Sequence, residues 1–158
     1  MSIAAARAYL ARFGLDGSVL EFPVSSATVE LAAEAAGVIP ARIAKSLSFK
    51  VNDEAILIVT AGDAKVDNAK FKAAFHTKAK MLTPDEVTEK IGHAIGGVCP
   101  FGVNEGVKVY LDESLKRFDT VFPAAGSSNS AIELTCAQLE QVAQNCQGWG
   151  DFCKGWVE

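Results

Sequence analysis

Residues 45–59 carry the feature that most restricts how this chain can fold. Apolar and polar residues alternate over 45–51, Asn52-Asp53-Glu54 interrupts them, and Ala55-Ile56-Leu57-Ile58-Val59 follows as an unbroken apolar run. The two-residue period is that of a strand with one wetted face, and the three polar residues suit a tight turn, so the stretch reads as a β-hairpin. Its second strand has no polar face to offer water and must be buried on both sides.

The flanking segments read as helices and further strands. Ile3, Ala6, Leu10 and Phe13 recur at helical intervals before Gly14, predicting a helix over 3–13, with a short strand over 18–22. Ser25 or Ser26 is placed to cap a second helix, in which Val29, Ala32, Ala33 and Ala36 share a face and which Gly37 ends. Pro40 opens another short turn. A helix is expected over 65–76 and a brief strand over 80–82. Thr83-Pro84-Asp85-Glu86 then starts a helix that should stop near Gly92. Strands are expected over 107–111, 120–124 and 131–134, and Thr135-Cys136-Ala137-Gln138 opens a final helix. With no repeat and no linker, this order predicts an α+β fold: one compact domain whose mixed, strongly curved sheet is flanked by helices.

Composition narrows the function classes. Residues that are 49% hydrophobic and 22% charged, in a chain of 158, can build one core. Fifteen basic against nineteen acidic residues give −4, which excludes a strongly basic protein that coats nucleic acid. No run approaches the roughly 18 apolar residues of a membrane span, and Arg7 breaks the apolar stretch a signal peptide needs, so a cytoplasmic location without membrane contact is expected. Cys99, Cys136, Cys146 and Cys153 lie 37, 10 and 7 residues apart and read as reduced thiols. Without a Cys-x-x-Cys pair, and with only His76 and His93, neither metal nor cofactor is expected.

Lys45 is the most informative residue. By strand parity it shares a face with Leu47, Phe49 and Val51, and an ammonium there requires a polar cavity, a buried counter-ion or a head that snorkels to water. Gly96-Gly97-Val98-Cys99-Pro100-Phe101-Gly102 allows close backbone approach to a ligand but lacks the lysine and hydroxyl of a phosphate loop. Cys99, with His93 or His76 as base, is a candidate nucleophile, and a space-filling cysteine is the alternative. Ala124-Ala125-Gly126-Ser127-Ser128-Asn129-Ser130 either lines a tight pocket or forms a solvated turn. Asp112 is an N-cap or a counter-ion for Lys45. Over residues 61–80, Lys65, Lys70, Lys72, Lys78 and Lys80 outweigh Asp63 and Asp67 by three charges, marking either a solvated face or a phosphate-contacting one.

In order and spacing, several of these stretches resemble the YbaK/EbsC-like aminoacyl-tRNA deacylases, which include free-standing prolyl-tRNA editing proteins and the editing insertion of prolyl-tRNA synthetases. They are Ile43-Ala44-Lys45-Ser46-Leu47-Ser48-Phe49, residues 62–70, the 96–102 loop, Val109-Tyr110-Leu111-Asp112, and Ala125-Gly126 followed by Ala131-Ile132-Glu133-Leu134. The resemblance implies a barrel-like YbaK fold, one editing domain over residues 1–158, Lys45 as the functional lysine, and substrate contacts at Gly96, Gly97, Val98, Cys99, Pro100, Gly126, Ser127, Ser128 and Asn129. It further implies trans-editing: hydrolysis of a small non-cognate amino acid (alanine, cysteine, serine or similar) from the acceptor end of mischarged tRNA for proline, with prolyl-tRNA synthetase as a partner. The five lysines become tRNA phosphate contacts. Where certain editing domains carry a histidine, this chain has Ser127-Ser128-Asn129-Ser130. The rival readings are a non-catalytic module that binds an aminoacyl-tRNA or a synthetase, and a Cys99-dependent hydrolase.

Overall fold

The computed structural model describes residues 2–156, so the expected unit of 1–158 extends past the described residues at both ends. The chain runs from α1 (Ser2–Ala11) through β1 (Val19–Glu21) to α2 (Val29–Ala36), and a 3₁₀ turn at Pro40–Arg42 leads into β2 (Ile43–Val51) and β3 (Glu54–Ala61). β4 (Lys65–Val66) precedes α3 (Asn68–Phe75). α4 (Pro84–Glu86) widens into a π-turn over Val87–Ile91, and Gly92 ends it at φ 96°. Then come β5 (Lys108–Asp112), β6 (Thr120–Pro123), β7 (Ser130–Ile132), β8 (Leu134–Thr135), α5 (Cys136–Val142), β9 (Cys146–Gly150) and β10 (Cys153–Lys154).

The hairpin forms as its sequence requires. β2 and β3 pair antiparallel from Ala44↔Ala61 to Val51↔Glu54, and Asn52 and Asp53 both take the positive φ of a tight hairpin turn. β3 is buried from Ile56 onward because it is central: the sheet order is β8-β6-β2-β3-β5-β9, with parallel β2/β6, β3/β5 and β5/β9 pairs. This mixed sheet curls into a half-barrel, the expected YbaK-like α+β architecture. One face is covered by an aromatic layer in which Phe49 meets Phe71, Phe71 meets Phe75, and Phe75 meets both Tyr110 and Phe152 at centroid separations of 4.7–5.7 Å.

Both capping boxes are present, with Thr83 and Glu86 at α4 and Thr135 and Gln138 at α5. Four expectations are corrected. Thr28, not Ser25 or Ser26, caps α2 by accepting from the Leu31 N–H, while the Ser26 N–H and hydroxyl both donate to the Ser128 carbonyl. The helix expected over 65–76 starts only at Asn68, because the Asp67 carboxylate accepts from the Ala69 and Lys70 amides and Lys65–Val66 pair as a strand with Cys153–Lys154. Of the strand expected over 80–82, one bridge forms, Met81 to Phe49. The strand expected over 131–134 divides at Glu133: β7 pairs with β1 and β8 with β6, and the Glu133 carboxylate turns out to Arg42 and Thr120. The tail, whose packing the sequence left open, adds the edge strand β9 and clips β10 to β4.

Candidate functional site

A cavity of about 240 Å³ opens beside the start of β2. That is below the roughly 300–1,000 Å³ of sites for drug-sized ligands, so the enclosed part suits a small group. Its walls are the start of α2, Ile43 to Ser46 and Ser48 of β2, Leu82 and Val87, Ile95 to Val98 of the glycine loop, and Ala124, Ser130 and Ala131. Met81 and Ile95 stand at the rim, 56% and 61% exposed, forming an apolar lip.

Lys45 is the one charged side chain in this wall. It is half-buried, and its ammonium donates to the Gly62 carbonyl at 3.4 Å. Loss of solvent lowers its pKa, an effect opposed by the negative groups nearby, Asp63 among them. The cation thus faces an uncharged cavity with a single protein hydrogen bond among the described residues, which leaves donor capacity for a ligand. Gly62 is required where it is: a Cβ would lie 2.1 Å from the Pro40 carbonyl oxygen and 2.7 Å from Val29 Cγ1. Next to it, Asp63 holds Arg117 through both carboxylate oxygens at 3.0 and 2.6 Å, which pulls the Asp63 pKa down.

The glycine loop and the 124–130 loop meet backbone to backbone. A Cβ on Gly97 would stand 2.7 Å from Gly126 C and from Ser127 N, so only glycine permits this approach. The Gly97 N–H is taken by the Ala94 carbonyl at 3.0 Å. The amides of Gly96 and Val98, the cavity-lining residues on either side, have no intramolecular acceptor among the described residues.

The structure therefore brings Lys45, Gly96 and Val98 together at one cavity and keeps other expected contacts off its wall. Gly97 and Pro100 are buried behind it. Ser128 and Asn129 instead tie down the segment before α2, where Asn129 exchanges two hydrogen bonds with the Phe22 backbone and Ser128 accepts from Ser26, while Gly126 meets Gly97 and the Ser127 hydroxyl bonds within its own loop to Asn129 and Ser130. Cys99 is also off the wall and fully buried, its thiol pushed up to about 12 by desolvation, so the Cys99-nucleophile reading is corrected to an interior thiol.

Asp112 acts as the cap rather than as a partner of Lys45. One carboxylate oxygen accepts from the Ser114 N–H at 3.0 Å and the other from the Phe152 N–H at 2.8 Å. Of the five lysines, none lines the cavity. Lys65 and Lys80 are exposed, Lys72 and Lys78 flank a shallow hollow with Asn68, and Lys70 is bound to Asp151 and to the Cys153 carbonyl at 2.8 Å each. Among the described residues no group of three or more His, Cys, Asp or Glu side chains is placed to hold a metal ion, and no helix is long and apolar enough to cross a membrane.

The sequence reading missed the cavity's hydroxyl and apolar components Ser26, Thr28, Met81 and Ile95, and Ser46 and Ser48 as wall residues, whereas Ser130 comes from the loop it offered as a pocket lining. Serines at alternate positions of a strand leading into the core were the available signal for Ser46 and Ser48.

The family model described as the aminoacyl-tRNA editing domain matches residues 24–142. The uncharacterized protein YwhH of Bacillus subtilis strain 168 is 55% identical over 157 residues, 99% of each chain. A 90-residue stretch, 56% of this chain, is 32% identical to the proline–tRNA ligase of Geobacillus sp. strain WCH70 and spans 16% of that ligase. A crystal structure provisionally assigned as a trans-editing enzyme for prolyl tRNA synthetase superposes with a TM-score of 0.87 at 32% identity, covering 98% of each chain.

Proposed function

Because this chain belongs to the aminoacyl-tRNA editing domain family, we propose that it is a free-standing deacylase that hydrolyses the ester between a small non-cognate amino acid and the 3′ end of tRNA for proline. The observation that carries the reading is the meeting of a half-buried lysine with a glycine loop bearing unused amides at a cavity sized for a small group. Lys45 stays protonated and orients the acyl-adenosine end by charge and hydrogen bonding. The Gly96 and Val98 N–H groups face the ester carbonyl and take up the negative charge that develops on its oxygen.

Water adds to the carbonyl carbon, the tetrahedral intermediate collapses, and the ribose oxygen leaves with a proton to give free amino acid and tRNA. The wall contains no histidine, carboxylate or thiol, so the proton lost by the attacking water passes to solvent or is relayed through the vicinal ribose hydroxyl, which gives its own proton to the departing ribose oxygen. Alanine, serine and cysteine are the side chains that fit, and larger ones are excluded by overlap. The apolar lip of Met81 and Ile95 contacts the terminal base, and the lysines of 65–80 that are not ion-paired lie along the acceptor-stem phosphates.

Measuring release of labelled amino acid from alanyl-, cysteinyl- and seryl-tRNA for proline, with correct prolyl-tRNA as control, tests the reading. It expects one mischarged species to be cleared well above its spontaneous rate and prolyl-tRNA to be spared. Spontaneous rates for every species overturn it.

A further inference from the structure

Beneath the cavity loop lies a buried histidine that the proposed chemistry does not use. His93 is fully buried directly after Gly92, and its Nε2 lies 2.7 Å from the Phe101 carbonyl oxygen, across the turn that presents Ile95, Gly96 and Val98 to the cavity. A carbonyl only accepts, so Nε2 carries the proton. Nδ1 is buried with no partner among the described residues, so a second ring N–H would have no acceptor there. The Cys99 thiol, 3.5 Å from both Nε2 and the Phe101 oxygen, donates to the same carbonyl. Burial lowers the His93 pKa against the opposing pull of that carbonyl, and no charged side chain contributes.

The loop is fastened at its base by the Asn104 N–H to the Ile91 carbonyl, 2.9 Å, and on its outer side by Gln144, which exchanges hydrogen bonds with Val103 and donates its own N–H to the Pro100 carbonyl. The inner fastening is His93. We propose that His93 is a positioning residue whose neutral Nε2–H tautomer fixes the Phe101 carbonyl and thereby holds the Gly96 and Val98 amides at the ester. The inference rests on the deacylase reading, for which it supplies the support of the oxyanion-binding loop.

Steady-state deacylation is measured for wild type, His93→Leu and His93→Gln. A leucine leaves the Phe101 carbonyl with only the weak Cys99 thiol donor, and a lost charge-stabilising geometry of that kind is expected to lower kcat about tenfold or more with KM within about twofold. Glutamine, whose amide N–H can reach the Phe101 carbonyl, is expected to restore most of kcat. Wild-type kcat in His93→Leu, or equal loss in both variants, overturns the proposal. Should His93→Leu not fold, ¹⁵N NMR of the wild-type imidazoles decides: the His93 ring is expected to be neutral and Nε2-protonated at neutral pH and to titrate below its ordinary value of 6.5, and titration at or above that value or a proton on Nδ1 overturns the assignment. If wild type hydrolyses no ester, the deacylase reading and the catalytic role fall together, and the NMR result still reports the ring's state separately.

Discussion

Lys45 Nζ and the Gly62 carbonyl oxygen stand 3.4 Å apart, joining the first residues of β2 to the end of β3 across a position that tolerates no side chain. That pair sets the ammonium's direction, and Asp63, held by Arg117, fixes the turn that carries the carbonyl.

Gly62→Ala is therefore expected to act on both fold and site. A methyl 2.1 Å from the Pro40 oxygen forces the backbone apart, at a cost of about 1–3 kcal/mol for overpacking, and moves the carbonyl that orients Lys45. Urea unfolding should show the lower midpoint, and kcat should fall at denaturant-free conditions where the protein is still folded.

Gly97→Ala separates the two loops instead. Its Cβ meets Gly126 and Ser127 at 2.7 Å, so the cavity wall shifts while the half-barrel sheet is untouched. The expected outcome is a loss of deacylation larger than the loss of thermal stability alone explains, measured by comparing kcat with Tm.

Cys99 should be dispensable. With its thiol pushed up to about 12, only about one molecule in 10⁴ carries the thiolate at pH 8. Iodoacetamide at that pH is expected to leave the folded enzyme active, and Cys99→Ala to keep kcat within a few-fold. Substrate-protectable inactivation would restore the nucleophile reading.

The charge surface separates into working and structural lysines. Lys72→Glu and Lys78→Glu are each expected to raise KM for tRNA and flatten its salt dependence, the log–log slope falling by about 0.7–0.9 per lost phosphate contact, with kcat unchanged. Lys70→Glu should instead loosen the tail, because Lys70 is bound to Asp151 and to the Cys153 carbonyl.

Acid sensitivity should report the Asp63–Arg117 pair. The pKa of Asp63 is lowered in the folded protein, chiefly by its hydrogen bonds to Arg117, so the stabilisation is present above the ordinary value of 3.8 and is lost as pH falls through the lower folded value. Asp63→Asn is expected to be less stable than wild type at neutral pH and to approach it as the pH falls below the ordinary value of 3.8 and through the lower folded value, measured by urea unfolding across that range.

What the sequence revealed was what local chemistry decides. The unbroken run of β3 demanded burial, the Thr83 and Thr135 boxes announced their helices, and Lys45 stood out because its strand parity put a charge among apolar neighbours. What it hid depends on distant partners. Ser46 and Ser48 read as a wetted face and became cavity wall, because the sheet curls and α2 and the glycine loop close over that side. Ser128 and Asn129 looked like ligand contacts, yet their partners lie over 100 residues earlier, at Ser26 and Phe22. The edge strand β9 exists through parallel pairing with β5, a relation no local pattern announces.

The most direct test of the central claim pairs hydrolysis with binding in a single substitution. Wild type and Lys45→Ala are compared for release of amino acid from the mischarged tRNA that wild type clears, and for affinity toward the same tRNA. The account predicts that the variant stays folded and still binds the tRNA while hydrolysis drops by about two orders of magnitude, the scale of misplacing the ester by about 1 Å when the charged group that orients it is lost. Wild-type hydrolysis by Lys45→Ala contradicts it, and wild-type binding with no hydrolysis by either protein would make this chain a binding module.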